Sequence, residues 1–224
     1  MAKKTKTSLK RPRRAAVVPE GARDKIMNVA RRLFAEYGLE GVSVRDISKE
    51  AGLNVSLVSY YFGGKEGLYS TILETHAREV QRSLLAVLAP FRENEHLTKE
   101  SFHSVIESFV RNMVEMRLQI PEMSLIIQRE RFSGLPHARK NHEEIFGPLN
   151  IEFDAFMKTA IRKKIVRPNL PVVPYFMSIV ESIMGYFLFQ ECHMKMPGDY
   201  FHLPDQKEQY IEFLTRLFTE GIYK

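Results

Sequence analysis

SVRDISKEAGLNVSLVSYYFGGKEGL, residues 43–68, reads as two short helices and the opening of a third, divided first by one glycine and then by a pair. Ser43, followed three residues on by Asp46, has the pattern of a capping box, and Val44, Ile47 and Ala51 fall on one face at helical spacing. Gly52 ends that helix. Leu53 turns inward, Asn54 is a good N-cap, and Val58, Tyr61 and Phe62 supply the buried side of the second helix before Gly63 and Gly64 break it. A helix this short buries little, so its purpose lies in what it presents: Val55, Ser56, Leu57, Ser59 and Tyr60 form the predicted exposed face. The punctuation is that of a helix-turn-helix, whose second helix enters the DNA major groove with its N-terminal residues at base edges. Gly64, Lys65 and Glu66 then open a new helix, whose free N–H groups, with the Lys65 ammonium beside them, suit a backbone phosphate. The bland alternative is a helical hairpin with Tyr60, Tyr61 and Phe62 simply in its core.

These residues resemble the DNA-binding signature of the TetR-type transcriptional regulators. The features are a small hydroxyl residue at Ser43, a helix ending in Ala51 and Gly52, a recognition helix closing on Tyr60, Tyr61 and Phe62, and Lys65 heading the next helix. The likeness runs from Ala22 to Leu73; beyond it only length and helical character agree. It implies that Arg45, Ser56, Leu57, Tyr60, Tyr61 and Lys65 contact DNA. Family members usually have Thr where Leu57 stands and Tyr where Ser59 stands, so the resemblance implies DNA binding without lending an operator sequence. It also implies a homodimer on palindromic operator DNA, repression by blocking promoter access, and relief of repression by a small effector.

The composition is that of an ordinary soluble protein: 224 residues, 44% of them hydrophobic, ample for a core. The longest apolar run, near Ile183 to Phe189, falls far short of the ~20 residues a membrane span needs. The basic N-terminus lacks the apolar stretch of a secretory signal, and a cytoplasmic location is expected. A single cysteine, Cys192, permits no internal disulfide. The net charge of +6 is unevenly placed, because residues 1–19 carry seven basic side chains and no acid, leaving −1 for the remainder. Such a block reads as a disordered basic tail over residues 1–20, either following DNA phosphates or merely solubilising.

The remaining chain reads as helices throughout, with no credible strand and no internal repeat. A first helix from about Ala22 to Tyr37 should back the DNA-reading pair, so that residues 21–69 form a three-helix unit. A long helix from Lys65 to about Leu88, stopped by Pro90, links it to residues 70–224, an expected effector-binding and dimerisation domain. Further helices are predicted over about 98–117, 123–132, 137–165 (disturbed near Gly147 and Pro148), 173–194 and 206–223. The last two are apolar on more than one side, which suggests pairing with a second copy in a four-helix bundle. Ile183, Phe187, Tyr210, Leu214, Leu217 and Phe218 are the candidate interface.

Enzyme chemistry finds no footing. There is no phosphate-binding glycine loop, no nucleophile elbow and no paired cysteines, and Cys192, His193 and His202 match no standard metal spacing. His137 and His142 read as surface residues; no cofactor or metal is expected. A cluster of Phe109, Met113, Met116, Phe153, Met157, Met177 and Met184 could line an adaptable apolar pocket, although pocket lining and plain core look identical in sequence. Glu181, on a stripe between Met177 and Met184, needs a partner if buried: a basic side chain such as Arg129, the dimer mate, or an effector's polar group. The predicted fold is therefore all-α, an N-terminal helix-turn-helix domain followed by a helical effector and dimerisation domain. The competing reading is a DNA-binding organiser with no small ligand, governed by a protein partner.

Overall fold

The computed structural model describes residues 20–91, 97–189 and 203–224. Among these residues the chain forms nine α-helices, one 3-10 turn over Ala89–Phe91 and no strand, the only β feature being an isolated antiparallel bridge between Val166 and Tyr223. The helices are α1 (Ala22–Tyr37), α2 (Val44–Ala51), α3 (Ser56–Phe62), α4 (Lys65–Leu88), α5 (Lys99–Gln119), α6 (Pro121–Phe132), α7 (Arg139–Arg162), α8 (Val172–Phe189) and α9 (Lys207–Glu220). Their ends follow local chemistry. Thr98 caps α5 in a capping box with Ser101, and Pro121 opens α6 at a position where its missing N–H costs nothing. Pro148 lies inside α7, at an exposed position, and the helix continues through it. The basic tail lies outside the described residues, as do Cys192, His193, His202 and the end of the predicted 173–194 helix.

The buried apolar residues form two clusters. The first joins α1, α2, α3 and the N-terminal half of α4, with Ile26, Phe34, Ile47, Val58 and Leu68 at its centre. The second joins the C-terminal half of α4 with α5, α7, α8 and α9 around Phe102, Phe109, Phe153 and Ile179. Two helices tie these regions together. Helix α4 gives Leu68, Tyr69, Ile72 and Leu73 to the first cluster and Leu84 and Leu88 to the second. Helix α6, far along the chain, sends Met123 and Ile126 into the first cluster. It also places the Arg129 guanidinium on the C-terminal carbonyls of α1, at 2.8 Å from Phe34 O, 2.5 Å from Ala35 O and 3.3 Å from Glu36 O. A cation there satisfies orphan carbonyls and meets the negative end of the α1 dipole.

Candidate nucleic-acid interface and effector cavity

The helix-turn-helix is assembled by short-range bonds. Ser43 Oγ accepts from Asp46 N at 3.2 Å and Asp46 Oδ2 accepts from Ser43 N at 3.0 Å, closing the capping box; the Ser43 bonds hold the Asp46 carboxyl below its usual range. Gly52 turns the chain at φ 62°, a left-handed conformation that side chains disfavour. Asn54 Oδ1 then accepts from Ser56 N at 2.9 Å and from Ser56 Oγ at 2.7 Å, one residue ahead of the cap position: Val55 occupies the N-cap of α3 and makes no side-chain cap bond. Close approach explains a further glycine: a Cβ on Gly67 would lie 1.8 Å from Phe62 O, so only glycine lets the first turn of α4 pass the end of α3.

Helix α3 presents Val55, Ser56, Ser59 and Tyr60 to solvent, with Tyr60 73% exposed, and Arg45 on α2 is exposed as well. Leu57 corrects the sequence reading. It is 7% exposed and packs in the core with Val58 and Phe62, so that positions 57, 58, 61 and 62 share the inner side. Tyr61 is half-buried, its ring edge-on to Tyr60 at 5.1 Å. Lys65 is already engaged: its ammonium donates to Leu39 O at 3.0 Å and lies 3.8 Å from the Glu40 carboxylate, pinning the α1–α2 loop to the head of α4.

A cavity of about 260 Å³ lies among α4, α5, α6, α7 and α8. Its walls are mainly apolar: Leu73, Ala77, Val80 and Leu84 of α4, Met113 of α5, Ile127 of α6, Phe146 and Leu149 of α7, Phe176 and Met184 of α8. Of the sequence candidates, Met113, Met177, Glu181 and Met184 line it. Phe109, Phe153 and Met157 lie instead in the adjoining core, where the Phe109 and Phe153 rings are 5.5 Å apart, and Met116 is half-buried away from the cavity. Arg129 is not a lining residue, being spent on the α1 carbonyls. Glu181 is corrected in two respects. Its partner is Arg131, two residues beyond Arg129, and its side chain is 44% exposed, since this stretch of α8 borders the cavity rather than a closed core.

Sequence reasoning missed three buried polar groups of the cavity wall, Glu130, His76 and Arg117. Glu130 is 3% exposed and accepts from the backbone N–H groups of His137 and Ala138 at 2.5 and 3.0 Å; with burial it helps push the Tyr69 hydroxyl up to about 12. His76 is 6% exposed with neither ring nitrogen hydrogen-bonded, and burial, then Arg117 and Arg31, push its pKa down to about 4. Arg117 is 9% exposed, its pKa lowered to about 10 by burial and by Arg131. A signal existed. His76 continues the spacing Leu68, Ile72, His76, Val80, Leu84, and Arg117 follows Val110, Met113 and Val114 on the buried stripe of α5, so both are polar residues at apolar positions.

The proposed dimer face also needs correction. Ile183, Tyr210, Leu214 and Phe218 are buried against their own chain: Tyr210 OH donates to Ser182 O at 3.0 Å, and Tyr175 OH donates to Phe218 O at 2.6 Å. Phe187 is half-buried, while Leu217, 53% exposed, and its neighbour Phe213, 59% exposed, face outward from α9. Among the described residues no helix is long and apolar enough to cross a membrane, and no group of three or more His, Cys, Asp or Glu side chains gathers as a metal site.

Residues 26–72 match the family described as bacterial regulatory proteins, tetR family. The HTH-type transcriptional dual regulator CecR of Shigella flexneri is 29% identical over 144 residues, a match covering 58% of this chain and 60% of CecR, so the chain matches less than two thirds of that relative's length. The fold is similar to that of the ketosteroid transcriptional regulator KstR2 of Mycobacterium tuberculosis, with a TM-score of 0.67 at 18% identity over 94% of this chain and 100% of KstR2. It is also similar to the fatty acid degradation regulator FadR of Bacillus halodurans, with a TM-score of 0.65 at 17% identity over 89% of this chain and 98% of FadR. With its capped α2 and the α2–α3 pair, the N-terminal unit is thus similar to the DNA-binding domain of the tetR family of bacterial regulatory proteins, and the fold of the chain is that of the two regulators just named.

Proposed function

We propose that the chain reads a palindromic operator as a homodimer, represses by occupying it, and is released by a small, largely apolar effector held in the cavity between α4 and α8. The observation that carries this reading is the outward face of α3: Val55, Ser56, Ser59 and a 73% exposed Tyr60 stand free on a helix whose inner side is fully used. Exposed apolar and hydroxyl groups at a helix N-terminus suit base edges and thymine methyls. In this reading residues 21–69 form the DNA-binding unit, with Arg45, Tyr61 and Lys65 at phosphates, and residues 70–224 the effector and dimerisation unit. The tail of residues 1–19 adds a salt-dependent contact of its own.

The coupling follows from shared helices. Helix α4 lines the cavity with Leu73 to Leu84 and anchors α3 through Leu68 and Ile72; α6 lines it with Ile127 and Arg131 and clamps α1 with Arg129. An effector that displaces either helix re-aims α3, and it acts only insofar as it binds one arrangement better than the other. Two fold neighbours named for ketosteroid regulation and fatty acid degradation agree with an apolar effector class. Selection of bound duplexes from a random library, followed by anisotropy on the recovered fragment, tests the reading. The expected outcome is a palindromic site for which Tyr60→Ala loses preference; recovery of unrelated sequences bound equally by both proteins would refute operator reading.

A further inference from the structure

We infer that the effector cavity contains a built-in anion subsite, formed by Arg117 with His76 beside it, and that the effector it selects is an amphipathic monocarboxylate of about ten heavy atoms. The inference rests on the effector reading above and specifies its ligand. Arg117 and His76 both line the cavity and both are more than nine-tenths buried. The hydrogen bond that Arg117 makes is a long one, 3.5 Å to Ser124 Oγ, and among the described residues no carboxylate pairs with it. Neither nitrogen of His76 has a partner. A guanidinium withdrawn from water without a counter-charge is costly, and a neutral imidazole with both nitrogens unused adds to that cost. Such groups become favourable when a ligand supplies the missing anion.

The other charges on the wall are already matched. Glu181 pairs with Arg131, Glu130 holds two backbone N–H groups, and Glu74 accepts from Arg78 at 2.7 Å. Arg117 is therefore the cation of the wall that has no carboxylate beside it, and a ligand with a single negative charge complements it. A dianionic phosphate would bring a second negative charge into a space that Glu130 and Glu181 already border. Burial and the neighbouring Arg117 and Arg31 keep His76 neutral, so it offers one N–H donor to a carboxylate oxygen without adding charge. Beyond this polar corner, Ala77, Val80, Leu84, Phe146, Leu149 and Met184 form an apolar sleeve for a tail. The size follows from volume: a cavity of about 150 Å³ holds a six-carbon ring, so about 260 Å³ holds about ten heavy atoms.

Octanoate and the neutral ester methyl heptanoate have the same number of carbon and oxygen atoms and differ in charge, so calorimetric titration of the full chain with each isolates the anion subsite. Octanoate is expected to bind about tenfold tighter or more, and Arg117→Met, which keeps the stem and removes the charge, is expected to erase that preference while raising the melting temperature of the ligand-free protein. Equal binding of the two compounds by the unaltered chain overturns the subsite and leaves the effector cavity standing. Failure of both to bind also overturns it, and release of operator DNA by neutral apolar compounds then decides the broader reading separately. Tighter binding of octyl phosphate than of octanoate overturns the monocarboxylate assignment. A preference that survives Arg117→Met and disappears in Arg131→Met moves the anion to the Arg131–Glu181 pair and removes Arg117 from the subsite. Should Arg117→Met fail to fold, the comparison of acid and ester on the unaltered chain still decides.

Discussion

His76 occupies a place on α4 where its neighbours by spacing, Ile72 and Val80, are apolar, and its folded-state pKa of about 4 lies below the ordinary value of 6.5. The sign of the consequence is fixed. Above pH 6.5 the ring is neutral in both folded and unfolded chains and acidity has no effect through it. Between pH 6.5 and about 4 the unfolded chain takes the proton and the folded chain refuses it, so stability is lost as pH falls, up to a few kcal/mol. His76→Leu should therefore be progressively more stable than the unaltered chain as urea unfolding is repeated from pH 7 down to pH 4.5. A difference constant over that range would mean that the ring takes its proton as readily in the fold as in the unfolded chain. Lys65 offers a second contrast. Because its ammonium already bonds Leu39 O, Lys65→Met should lower stability by about 1 kcal/mol, besides reducing the salt-dependence slope of DNA binding by about one if that lysine also meets a phosphate. A drop in stability with an unchanged salt slope would restrict Lys65 to tying the α1–α2 loop.

Helix α6 is the element on which two regions depend. One side gives Met123 and Ile126 to the helix-turn-helix core, another gives Ile127 and Arg131 to the cavity, and Arg129 grips the last carbonyls of α1. Arg129→Met should lower urea stability by about 1–3 kcal/mol through the uncapped carbonyls and weaken effector-driven release of DNA, with DNA affinity retained. Lowered stability with release unimpaired would make α6 a strut and leave the coupling to α4. The elements themselves were largely legible in the sequence, since α1, α2, α4 and α5 carry clean three-and-four spacing and caps such as Ser43 and Thr98 that act within a few residues. Leu57 shows where legibility ends. A seven-residue helix holds too few positions to set its phase, and the inward turn of Leu57 comes from the core it packs against. The partner of Glu181 was likewise hidden, because choosing Arg131 over Arg129 requires knowing that α1 ends beside α6.

In the proposed homodimer the contact depends on which side of α9 faces outward, and periodicity alone could not say, since that helix is apolar on two sides and one of them belongs to its own chain. Tyr210, Leu214 and Phe218 proved to be the inner side, packed with Tyr175, Ile179 and Phe102 in the larger core. Phe213 and Leu217, four residues apart and both more than half exposed, are the outer side. Two large apolar side chains on one exposed stripe are what a self-complementary contact about a two-fold axis requires. Charge therefore has opposite consequences at adjacent turns. Leu214→Glu should bury an unpaired carboxylate in the core, cost several kcal/mol and melt the helical signal, so that any loss of dimer would follow from loss of fold. Leu217→Glu should leave far-ultraviolet circular dichroism unchanged and shift sedimentation to the monomer, with operator affinity falling steeply because each copy then holds only one half-site. The pair of variants separates assembly from folding, which neither does alone. A Leu217→Glu chain that still sediments as a dimer would exclude this stripe and direct attention to Val173 and Met177, the exposed apolar residues of α8.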